Sequence, residues 1–157
     1  MSDVAFRSTN ASAAQAVLAG GLTAGALDLL DAFAFFIPRG ATAVRILQSI
    51  ASGLLGPDAF NGGGATAALG TLLHFFIACS AAAVYYVASR RFPVLVRRWV
   101  PCGLAFGVCV FFCMRQIVLP LSLARHAGFA WPMFLNGIAI HALGIGLPIA
   151  YFASRRP

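Results

Sequence analysis

Lysine and glutamate are absent from this 157-residue sequence, and charge of any kind is scarce. All 11 basic residues are arginine, all 4 acids are aspartate, and charged residues make up 10% of the chain. A soluble domain carries about 25% charged residues. The shortage excludes a disordered chain and a nucleic-acid binder living on a hydrated basic surface. Catalytic signatures are missing too: there is no G-x-S-x-G, HExxH, P-loop or GxGxxG arrangement, so hydrolase, zincin and nucleotide-site readings have no support. No catalytic activity of its own is expected. The cysteines Cys79, Cys102, Cys109 and Cys113 all fall inside apolar stretches, which is not the pattern of a disulfide-stapled secreted module.

What remains is hydrocarbon: 61% of residues are apolar and the mean hydropathy is +0.88. Crossing a bilayer core takes about 20 helical residues, and stretches near 15–37, 65–88, 101–122 and 132–153 are long enough. The expected fold class is an all-α membrane protein, a four-transmembrane-helix bundle forming a single domain over 1–157. The first stretch is too long for a secretory leader and contains Asp28 and Asp31, so it reads as a retained span.

The net charge of +7 is read topologically, because arginines gather in cytoplasmic loops. Arg7, Arg90, Arg91, Arg97, Arg98, Arg155 and Arg156 fall on one side of the four spans, against Arg39, Arg45 and Arg125 on the other. Both termini are therefore expected on the cytoplasmic side, with the arginine clusters touching anionic lipid. Tyr85, Tyr86, Trp99 and Tyr151 at inner span ends, and Trp131 at an outer one, read as interfacial anchors.

Between the first two spans, residues 42–55 are too short to cross. A helical projection sets Arg45, Gln48, Ser49 and Ser52 on one side and Val44, Ile46, Leu47, Ile50 and Leu54 on the rest. This predicts an amphipathic helix lying flat in the outer interface, as an anchor or as a lid over the bundle. Pro38 and Gly40 end the preceding span, and Pro57 with Gly62, Gly63 and Gly64 breaks the chain before the next. Two GxxxG pairs, Gly21 with Gly25 and Gly103 with Gly107, permit close helix approach. They mark either neighbouring first and third spans or a homodimer seam.

The informative residues are polar ones at membrane depth: Asp28, Asp31, His74, Arg115, Gln116, Asn136 and His141. An Asp or Arg near a span centre costs on the order of 2.5–3.5 kcal/mol on insertion scales, so these residues need partners. His74 and His141 each lie 9 residues after the expected outer starts, Ala65 and Pro132. Counting rise places all of the ionisable groups in the outer half of the membrane. An ion pair of Asp31 with Arg115, Asp28 adjacent, is the expected contact, although Arg115 projects roughly 80° from Gly107 at about 100° per residue. Four readings follow. The cluster fixes helix pairing in a structural or assembly protein; it binds or conducts a proton, ion or small solute; His74 and His141 hold haem b for electron transfer; or the two histidines and two aspartates hold a metal. The stripe Cys102, Cys109 and Cys113 reads as packing, and Pro120 and Pro148 as kinks.

The stretches RGATAVRILQSIASGLLG and AFNGGGATAALGTLLHFFIA, with LPLS in the third span, resemble a group of small uncharacterised four-span proteins of bacterial inner membranes. The resemblance runs from Ala26 to Leu123. It implies a fold and a membrane location and carries no catalytic residues across.

Overall fold

The computed structural model describes residues 2–125 and 128–155; Arg156 lies outside them. The described residues form an all-helical bundle without strands. Four helices are long and apolar enough to cross a membrane: span one (Ala13–Arg39), span two (Gly63–Arg91), span three (Trp99–Leu121) and span four (Trp131–Ser154). Span one is closed by Gly40, whose φ of 94° lets its N–H reach back to the Ile37 carbonyl at 3.0 Å. A cross-helix, Ala43–Leu55, follows, started by Thr42, whose hydroxyl accepts from the Arg45 N–H at 3.2 Å.

Span four is the hub, packing against spans one, two and three, while span one also lies along span two. Small residues set these approaches. A Cβ at Gly21 would stand 2.6 Å from the Cys79 Cα of span two, and one at Gly25 would meet the Phe75 ring. A Cβ at Gly107 would overlap the His141 carbonyl oxygen of span four, and Gly103 faces Gly146 and Ala150. The two GxxxG pairs thus serve two different seams, one–two and three–four, rather than joining spans one and three. All four glycines expected at a homodimer seam are covered inside a single copy.

Spans three and four both depart from regular α-helix, widening to π geometry over Met114–Val118 and His141–Gly146. Each widened stretch lies just before a proline, Pro120 or Pro148. A proline ring presses on the carbonyl four residues earlier and offers no N–H to it, so the preceding turn opens. Gly103 and Gly107 leave room for the widened turn of span four.

The buried core lies in one half of the bundle. It is formed by Ala24, Ala82, Tyr85, Ile145, Ile149, Ala150 and Ala153. Tyr85, expected as an interfacial anchor, is instead 2% exposed. Its hydroxyl donates to the Leu95 carbonyl at 3.0 Å, which satisfies the polar tip of a buried ring and ties span two to the helical turn Val94–Arg97. Trp99 and Tyr151 stack edge to face at 5.5 Å between spans three and four.

Candidate functional site

The other half is hollow. Spans one and three do not pack closely among the described residues, and between them lies a cavity of about 470 Å³. The cross-helix roofs it through Ile46, Ser49, Ile50 and Gly53. The roof is pinned at both edges. A Cβ at Gly70 of span two would overlap the Leu47 carbonyl oxygen, so glycine there lets the two helices touch backbone to backbone. At the far edge, the Leu123 N–H donates to the Gly53 carbonyl at 3.0 Å.

The cross-helix presents a different side from the one the projection implied. Gln48 and Ser52 are 3% and 4% exposed, while Val44 and Leu54 face outward at 47% and 57%. The Gln48 side-chain amide donates to the Gly63 carbonyl at 3.1 Å and to the Thr66 hydroxyl at 3.3 Å. Gln48 thus ties the cross-helix to the opening turn of span two, while the Ser49 and Ser52 hydroxyls donate to the Ile46 and Ser49 carbonyls of their own helix. Only Arg45 and Ser49 of the polar side stay exposed.

Asp28, Asp31, His74, Arg115, Asn136 and His141 all line this one cavity. Gln116 is exposed on the outside of span three and does not. The pairing within the cluster differs from the expected one. Among the described residues no ion pair joins Asp31 to Arg115. Asp31 instead accepts a hydrogen bond from the Asn136 amide, Nδ2 to Oδ2, at 2.7 Å. Arg115, carried on the widened turn of span three, stands over two rings, 5.6 Å from the centroids of both Phe129 and Phe134. A cation over aromatic faces is stabilised by the ring quadrupoles. The expected pairing rests on equal depth along the spans; the roughly 80° offset of Arg115 from Gly107 at about 100° per residue already turns its side chain off that line.

Asp28 is the centre of the cluster. Its Oδ2 lies 4.0 Å from His74 Nε2 and its Oδ1 3.8 Å from His141 Nδ1. Both separations are too long for hydrogen bonds and short enough for strong electrostatic coupling in a medium poor in water. His74 Nε2 donates to the Gly25 carbonyl at 2.8 Å. A carbonyl only accepts, so that nitrogen carries the proton. His141 Nδ1 is buried and closes no hydrogen bond of ordinary geometry, approaching the Gly137 backbone one turn earlier, while its ring meets Phe111 edge to face at 5.4 Å.

Each ring turns a nitrogen toward the same Asp28 carboxylate, and His74 Nε2 is engaged by the Gly25 carbonyl. Among the described residues no three His, Cys, Asp or Glu side chains converge as a metal-binding group. All 4 cysteines are free thiols.

The residues that the sequence reading did not single out are the roof residue Gly53, the backbone carbonyl of Gly25, and Phe129 and Phe134 beside Arg115. Side-chain type alone carries no signal for a backbone acceptor. The two phenylalanines were legible only as hydrocarbon. No family model, curated protein or solved structure matches this chain.

Proposed function

We propose that this chain is a small multi-pass protein of a bacterial inner membrane, both termini cytoplasmic, that binds a small polar solute in its roofed cavity and holds an exchangeable proton there. In this reading it is a binding protein and not an enzyme. The observation that carries it is the Asp28 carboxylate placed between His74 and His141 and closing a hydrogen bond to neither. Intramembrane ionisable groups facing a cavity are expensive and commonly mark a solute or proton site. Imidazole is the side chain whose ordinary titration falls near neutrality. A group of purely structural role would be expected to close its contacts to hydrogen-bond distance, as Asn136 and Asp31 do. The Asp28 contacts stay open on both sides.

The proton is tested by infrared difference spectroscopy of the purified protein in nanodiscs across pH 5 to 8. The expected result is a carboxylic-acid band that changes with pH, disappears in Asp28→Asn and titrates at a different pH in His141→Gln. An identical band in wild type and Asp28→Asn assigns the proton elsewhere and overturns the reading.

A further inference from the structure

Charge of both signs lines the cavity without being matched inside the protein. Arg115 has no carboxylate within 4.0 Å among the described residues, only the two phenylalanine rings. Across the cavity, Asp31 is held by the single Asn136 amide and Asp28 by ring nitrogens beyond hydrogen-bond reach. A guanidinium and a carboxylate at membrane depth each require a complement. A cation alone would leave Arg115 unmatched, and an anion alone would enter beside two aspartates. A molecule bearing both charges meets Arg115 and Asp31 at once, whether or not Asp28 holds its proton.

Resting on the solute-binding reading above, we propose that the occupant is a small zwitterion. Its ammonium faces Asp28 and Asp31, its acid group faces Arg115, and a short apolar body lies against Phe111 and Ile140, which line the same cavity. A guanidinium receives a carboxylate or phosphate through two parallel N–H bonds, which fixes orientation as well as charge. A volume of about 470 Å³ falls within the roughly 300–1,000 Å³ of small-molecule sites. Ammonium and acid on one small frame occur both in free amino acids and in the headgroup of ethanolamine phospholipids, and the experiment separates these sources.

Thermal unfolding of the purified protein in detergent, titrated with matched probes, supplies the test. The probes are leucine, isoamylamine, which lacks its carboxylate, 4-methylpentanoate, which lacks its ammonium, and phosphoethanolamine. Leucine or phosphoethanolamine is expected to raise the midpoint at concentrations about tenfold below either single-charge analogue, since a site built around two charges rejects a ligand missing one. A response to leucine makes the ligand a free amino acid; a response to phosphoethanolamine alone makes it a lipid headgroup. Arg115→Gln and Asp31→Asn should each erase the preference, and Arg115→Lys, keeping the charge, should fold and bind more weakly. The proposal is overturned if no probe moves the midpoint, if a single-charge analogue equals the zwitterions, or if Arg115→Gln leaves the preference intact. The Asp28 infrared band is independent of all three results.

Discussion

Asn136 and Asp31, 105 positions apart in the chain, are joined by a hydrogen bond of 2.7 Å that fastens span four to span one at the level of the cavity. The amide supplies the one donor that the Asp31 carboxylate has among the described side chains. It also fixes how far the two helices stand apart beside the neighbouring His141 and Asp28.

Replacing Asn136 by Ala should therefore destabilise the bundle by about 1.5–3 kcal/mol, the range for a hydrogen bond to a charged group. The partner change Asp31→Asn should cost less, because an uncharged amide leaves a smaller unpaired burden at membrane depth. Unfolding in mixed detergent and denaturant measures both. Equal stability of Asn136→Ala and wild type would mean that the bond contributes nothing.

Glycine substitutions should separate sharply by location. Gly107→Ala drives a methyl into the His141 carbonyl and Gly70→Ala into that of Leu47, whereas Gly64 has open space around it. The first two should lose about 1–3 kcal/mol through overpacking, with Gly64→Ala within about 0.5 kcal/mol of wild type. The same unfolding assay decides, and a neutral Gly107→Ala would contradict the close seam between spans three and four.

The cross-helix can be read by single cysteines in a background lacking the four native thiols. A cysteine at Ser49 should react with a membrane-impermeant maleimide, and cysteines at Gln48 and Ser52 should be protected. Carried out on intact cells, labelling at Ser49 without permeabilisation also supports the arginine-based orientation. Reaction only after the membrane is opened would invert it.

The four spans were legible because length and hydropathy alone decide them: about 20 apolar residues have one way to satisfy their backbone in a bilayer. The candidate site was legible as a set, since aspartate, arginine and histidine at membrane depth are conspicuous whatever they touch. Its pairings were not. Depth along a span places Asp31 and Arg115 at one level but does not say which way each side chain points, and Asn136 at the same level takes the carboxylate instead. The cross-helix misled for another reason. A projection sorts polar from apolar residues but does not say whether the polar side meets water or, as with Gln48, the opening turn of the next helix. Gly21, Gly25, Gly103 and Gly107 announced close contact correctly, yet a motif common to many seams does not name its partner.

The contrast between the filled and hollow halves of the bundle bears on how the site would sense membrane voltage. Where aqueous access comes from one face only, the transmembrane field falls mainly across the tightly packed portion, here the layer of Ala24, Ala82, Tyr85 and Ile149. A charge arriving from the roof side would traverse only a small part of the drop, which for a full crossing amounts to about 2.3 kcal/mol per elementary charge at 100 mV. Occupancy of the cavity should accordingly follow chemical concentration on that face and be nearly indifferent to the energised state of the cell.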